Sequence, residues 1–235
     1  MLRIWVSCLL LLQAGAALAG PWPRQEKTVF LSISTEHDRD GNSYTGLYGE
    51  YGLSARSTLG LELGHASAGE VSALLWLQRA LDDGTGANRW TVSSGVGVIE
   101  RDGELVPLGQ VGVAWGRGLD RLPGGGWISV EARLKVTAET ESVILRQGMT
   151  VVEYGYLTPE YTAKADVTLG WNATPKMMLI NQLRLEDRKD MAFSAKLGTS
   201  IVRDIGGPVK LELGVIAPVA GEGEYALRAG TWFAF

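Results

Sequence analysis

The chain has 235 residues, among them 31 Gly and 8 Trp, and its 22 Lys and Arg against 26 Asp and Glu give a formal net charge of -4. That acidic balance gives no support to nucleic-acid binding, which favours a basic face. The one cysteine, Cys8, excludes a disulfide framework. A mean hydropathy of +0.05 suits a soluble protein, or a barrel whose outward apolar and inward polar residues average out.

The first residues read as a secretory leader. Basic Met1-Leu2-Arg3 runs into the apolar stretch Ile4 to Leu12 and then into small residues ending Ala17-Leu18-Ala19. The apolar run is shorter than the roughly 18 to 20 residues that cross a bilayer as a helix. Cleavage after Ala19 would discard Cys8 and leave residues 20–235 as one domain beginning Gly20-Pro21-Trp22-Pro23.

Downstream, period-two alternation prevails and helical periodicity is nearly absent. In Trp127 to Val136, Ile128, Val130, Ala132, Leu134 and Val136 share one face, and Ser129, Glu131, Arg133 and Lys135 share the other. Turn residues between such segments predict about twelve strands. They lie near Thr28–Thr35, Ser43–Gly52, Ser57–His65, Glu70–Arg79, Arg89–Glu100, Leu105–Arg117, Gly126–Ala138, Tyr161–Asn172, Lys176–Glu186, Ala192–Asp204, Pro208–Ala217 and Tyr225–Phe235. Most are close to the roughly 9 to 11 residues of a tilted membrane strand. With no apolar run long enough for a spanning helix after the leader, the expected fold is all-β: a single antiparallel up-and-down transmembrane β-barrel.

An even strand number returns both termini to the periplasmic side. Turns around 53–56, 81–88, 119–125, 173–175 and 205–207 then face the periplasm, and the connections 36–42, 66–69, 101–104, 139–160, 187–191 and 218–224 face outward. The long connection carries Ser142 to Arg146 and Thr150 to Tyr154 on either side of Gln147-Gly148, which predicts a protruding hairpin; an inward constriction is the alternative.

The last strand, Tyr225-Ala-Leu-Arg-Ala-Gly-Thr-Trp-Phe-Ala-Phe235, places Tyr225, Leu227, Ala229, Phe233 and Phe235 on one face, interrupted by Thr231. It resembles the C-terminal strand of bacterial outer-membrane β-barrel proteins, porins among them, which typically end in an aromatic residue. The resemblance implies a location in the outer membrane, contact with its lipids, and recognition of Tyr225, Phe233 and Phe235 by the barrel-assembly machinery. It names no cofactor and no subfamily. Tyr44, Tyr51, Trp90, Trp115, Trp127, Tyr161, Trp171, Trp232 and Phe235 recur near strand ends as candidates for interfacial girdles. A soluble periplasmic β-barrel that binds a small ligand would show the same alternation with its apolar face inside.

The inward face differs between the halves of the chain. Strands two to six offer mainly small or neutral residues, including Gly46, Gly60, Gly64, Ser72, Ser93, Gly95, Gly97 and Gly112, with Glu50 and Glu62 as exceptions. Strands seven to twelve offer Glu131, Arg133, Lys135, Lys164, Asp166, Arg184, Lys196, Lys210, Glu212 and Arg228. Such charges can line a narrow channel for small hydrophilic solutes. Paired with one another, they can instead fill the lumen of a structural barrel.

Enzyme chemistry has little to draw on. A barrel-embedded lipid hydrolase is the alternative, with His65-Ala66-Ser67 as the nearest nucleophile and base, but that segment lacks an orienting carboxylate or amide. The expectation is a protein that is not an enzyme. Glu36, Asp38 and Asp40 before Gly41 look like the opening of a calcium loop, yet Leu47 stands where its bidentate glutamate belongs. A solvated turn is the expected reading, with no metal site.

Overall fold

The computed structural model describes residues 20–101, 103–147, 150–189 and 191–235, and the side chains of 139–157 lie outside that description. The leader over 1–19 and the hairpin tip at Gly148 fall on residues outside it.

Twelve antiparallel strands follow one another: β1 (Val29–Asp38), β2 (Ser43–Ser54), β3 (Ser57–Ala66), β4 (Val71–Ala80), β5 (Asn88–Arg101), β6 (Glu104–Gly118), β7 (Gly126–Gln147), β8 (Thr150–Thr174), β9 (Met177–Arg188), β10 (Ser194–Gly206), β11 (Val209–Ala220) and β12 (Ala226–Ala234). Each pairs with its chain neighbours and β1 pairs with β12, so the sheet is a closed up-and-down barrel. Closure leaves no unpaired edge, which the hydrocarbon interior would penalise.

Pairing keeps the alternation in phase around the wall. One row reads Ile33, Leu47, Leu63, Ala73 and Val98 across β1 to β5, and all face outward. The adjacent row reads Ser34, Gly46, Gly64, Ser72 and Ile99 and faces inward. A one-residue slip would exchange the two faces. The outward side chains find no protein to cover them: Val96 is 73% exposed and Leu213 67%. This is the reverse of a soluble ligand-binding barrel, and the apolar belt is what lipid covers.

The start of β1 and the last residue meet at the short-turn rim, where Val29 N–H donates to Phe235 O at 2.6 Å and Phe235 N–H donates to Val29 O at 3.1 Å. In the turn after β4, Asp82 accepts Trp90 N–H at 2.6 Å and Gly84 N–H at 2.9 Å. Partial burial raises its carboxyl pKa, but these hydrogen bonds and the Arg89 charge outweigh that and hold it below its ordinary value. Gly206 and Gly207, at φ 106° and 62°, make the turn into β11 in a conformation that side chains resist.

At the other rim β7 and β8 run on. Their pairing continues from Thr137↔Glu160 to Gln147↔Thr150, whereas β6 leaves β7 at Val136 and β9 leaves β8 at Thr162. Beyond that level the described residues of the hairpin pair with each other and with neither neighbouring strand.

Three residues expected in the girdles point inward instead. Trp127 is 4% exposed, Trp232 packs edge-on against Phe30 at 5.7 Å between centroids, and Tyr44 lines the lumen at the outer rim. Their phase along the strands, set by register, overrides the tendency of aromatics to sit at membrane interfaces. Tyr51, Trp90, Trp171 and Phe235 are exposed near the short-turn rim, and Tyr161 near the other. Trp90 and Trp115 pack together at 6.4 Å on neighbouring strands.

Candidate functional site: the lumen

The barrel encloses a cavity of about 680 Å³ lined from Trp127 and Trp232 near the short-turn rim up to Tyr44, Glu186 and Lys196 near the outer one. Its wall is built by the inward rows, and what fills it depends on where glycines leave space. A Cβ at Gly60 would overlap the indole of Trp76 on β4, and one at Gly170 would overlap the indole of Trp127 on β7. These glycines are seats for neighbouring indoles. The inward face of β4 to β6 is therefore not mainly small: Leu74, Trp76 and Leu108 form a buried cluster with Tyr48 against it. A second cluster, Trp127, Met178 and Val202, takes Trp22, Ile180 and Trp232 against it.

The charges are paired. Arg133 on β7 donates to Asp166 on β8 at 2.6 Å, lies 3.4 Å from Glu131, and reaches Glu62 on β3 at 3.5 Å. Lys135 approaches the same Glu62 at 3.6 Å. A second group centres on Glu36 of β1, which accepts from Arg184 of β9 at 2.9 Å and Arg228 of β12 at 2.5 Å. Arg228 also donates to Glu212 at 2.8 Å, whose other oxygen accepts Trp232 Nε1–H at 2.9 Å. Arg133 to Glu62 and Arg184 to Glu36 each join strands four apart in the ring, so the side chains meet through the interior as chords of the barrel. Lys164 pairs with Glu186 at 2.8 Å.

Of the twelve charged residues expected inside, ten line the cavity: Glu62, Glu131, Arg133, Lys135, Lys164, Asp166, Arg184, Lys196, Glu212 and Arg228. Glu50 is inside but beneath the cavity, 5% exposed and paired with Arg24. Lys210 stands on the inward row of β11 near the short-turn rim, opposite Trp232 and Asp204.

Glu36 and Glu186 join the cavity wall as well. Glu36 was expected in a loop, but β1 continues through it to Asp38, whose carboxylate accepts from Asn42 N at 2.8 Å and Asn42 Nδ2 at 3.0 Å. The acidic triplet is thereby split between the lumen and a tight turn. At the outer rim, Arg101 bridges Glu70 at 3.1 Å and Glu160 at 2.9 Å, tying β5 to the base of the β7–β8 hairpin. His65 faces outward on β3, opposite Thr45, and Ser67 Oγ accepts Ser43 N–H at 2.9 Å. That places the serine in a turn-stabilising bond, and among the described residues no hydrogen bond joins it to His65.

The described part of the lumen closes below the cavity. Gly20 O accepts Gln78 Nε2–H at 2.7 Å, Arg24 N–H donates to Thr58 Oγ1 at 2.8 Å, and Arg24 Nε donates to Glu50 at 2.7 Å. The segment before β1 thus turns back into the barrel. Sequence periodicity could not find this, since Pro21-Trp22-Pro23 belongs to no strand; a tryptophan between two prolines just before β1 was the available signal.

No family model matches the chain and no curated protein matches it. Solved structures do. An outer-membrane channel from Pseudomonas putida F1 superposes with a TM-score of 0.61 at 10% identity, over 94% of this chain and 100% of that one. The NanC porin gives 0.57 at 12% identity over 86% and 98%. The translocator domain of the autotransporter NalP from Neisseria meningitidis gives 0.54 at 12% identity over 100% and 96%. At such identities the likeness is one of fold, and the fold is that of outer-membrane β-barrels.

Proposed function

We propose that this protein is an outer-membrane channel for small hydrophilic solutes, exported by its first 19 residues. The observation that carries the reading is the charge balance of the cavity. Its wall presents six acids and six bases among the described residues: Glu36, Glu62, Glu131, Asp166, Glu186 and Glu212 against Arg133, Lys135, Lys164, Arg184, Lys196 and Arg228. A wall made only to be filled would favour apolar packing, because buried ion pairs seldom repay their desolvation. Mixed charges around a cavity of about 680 Å³ instead offer a solute replacements for its hydration shell. The folds of the channel and porin named above support this reading.

Twelve strands limit the bore. Small barrels fill largely with side chains, and wide aqueous pores need about 16 strands. The two cross-lumen chords narrow the path further, so the conductance should be small. Purified protein in planar bilayers should give discrete steps. A protein shown to fold as a barrel by gel migration that shifts on heating, yet never conducting with residues 20–27 in place or displaced, would overturn the channel reading. Assembly through the C-terminal strand, read by the barrel-assembly machinery at Tyr225, Phe233 and Phe235, belongs to the same proposal.

A further inference from the structure

We infer that Gly20–Lys27 is an intrinsic plug that closes the periplasmic mouth of the lumen and must leave it for a solute to pass. This rests on the channel reading for its purpose, but its geometry stands apart from it.

The segment crosses the barrel interior from wall to wall. On one side Arg24 is held by Glu50 of β2 and Thr58 of β3, and its guanidinium lies 4.7 Å from the ring centroid of Phe30 on β1. In the middle Gln78 of β4 holds Gly20 O. On the far side Trp22 packs on the Trp127, Met178 and Val202 cluster, contributed by β7, β9 and β10. Pro21 is fully buried. The wall is cut to receive the segment: a Cβ at Gly116 on β6 would overlap Pro21, and one at Gly52 on β2 would overlap the Gln25 carbonyl. Gly20 itself forms part of the cavity floor.

Two features mark a seated device rather than a loosely trailing terminus. Lys27, at φ 64°, is the one non-glycine residue in the left-handed region among those described, and this kink redirects the chain from β1 into the lumen. A strained residue persists where its surroundings over-determine it. The contacts are also of a reversible kind: the ion pair of Arg24 with Glu50, hydrogen bonds to Thr58, Gln78 and Gly52, and the burial of Pro21 and Trp22, with Gln25, Glu26 and Lys27 exposed at the mouth. Release need break no strand pairing.

The test uses the full chain in a Cys8→Ser background with Thr58→Cys as a reporter, since Thr58 is 0% exposed beneath Arg24 and does not line the cavity. The plug is unseated by Pro21→Ser, Trp22→Ser and Arg24→Ser together, which keep Gly20 after Ala19; Trp22→Ala alone is the milder variant. Heat-modifiable migration confirms that each barrel folds. A water-soluble maleimide should modify Cys at position 58 about tenfold or more faster in the unseated protein, because losing seating contacts shifts the seated-to-open equilibrium. Conductance should rise with it. Unchanged labelling overturns the plug, and so does faster labelling with a conductance already present and unaltered. Faster labelling with no conductance in either protein supports the plug and sinks the channel reading instead.

Discussion

Arg133 on β7 and Glu62 on β3 meet across the interior at 3.5 Å, although four steps around the barrel wall separate their strands. The same guanidinium also neutralises Asp166 and Glu131, so one base serves three acids, with Lys135 as the second base of the group. Arg133→Ala should therefore leave three carboxylates facing one ammonium and tilt the lumen toward cations. In bilayers under a salt gradient the reversal potential should move in the cation-selective direction, and an unmoved potential would show that the path avoids this group. The substitution should also destabilise the barrel by about 3 to 5 kcal/mol at most, the range for breaking a buried pair, and by less where water reaches the acids.

Gly60 is the seat of the Trp76 indole. Gly60→Val should destabilise the barrel by roughly 1 to 3 kcal/mol through overpacking, and Trp76→Ala in the same chain should recover part of the loss. Urea titration in detergent or lipid vesicles measures both. Equal, additive losses would mean that the two side chains do not compete for one space.

Val96, outward on β5 and 73% exposed, distinguishes lipid from water as the barrel's surroundings. Val96→Arg should cost about 2 to 4 kcal/mol if the residue sits near the bilayer midplane. In a water-facing sheet the change would fall within about 0.5 kcal/mol, the usual range for a surface site. Reversible unfolding from lipid vesicles separates the two.

Phe235 closes the barrel with its main chain, through the two hydrogen bonds to Val29, while its ring is 62% exposed. Phe235→Ala should accordingly keep the two closing main-chain hydrogen bonds and lower the stability of protein refolded from urea by no more than about 1.5 to 3 kcal/mol, the worth of fully covering such a ring. Its yield of heat-modifiable barrel in cells should fall, because the aromatic terminus is proposed as the assembly signal. Equal loss in both settings would make the ring a structural contact only.

His65 and Ser67 provide the check on lipid hydrolysis. Because no hydrogen bond joins Ser67 to His65 among the described residues and Ser67 Oγ accepts from Ser43 N–H in a turn, Ser67→Ala and His65→Ala should leave any release of fatty acid from mixed micelles at the level of the unaltered protein. A loss specific to these two variants would reinstate the enzyme reading.

Much of the architecture was legible because a strand writes its two faces into every second residue. Ile128, Val130, Ala132 and Leu134 declared the outside of β7, and Glu131, Arg133 and Lys135 its inside, without reference to any other part of the chain. The even strand number followed from the turn residues between the alternating segments. The same local rule misled where the aromatic type suggested an interface but the phase pointed inward, as at Trp127 and Trp232, and where the triplet at Glu36 looked like a loop although β1 ran through it.

What the sequence by itself determined was the side of the wall each residue faces, and hence a membrane barrel with a charged interior. Only the tertiary structure decided which interior residues meet. Glu62 finds Arg133, Glu36 finds Arg184, and Glu50 finds Arg24 from a segment that belongs to no strand at all. Facing is a property of period two and is local. Partnership across a lumen depends on ring closure, stagger and the space that glycines such as Gly60 and Gly116 leave open, and no window along the chain contains that information.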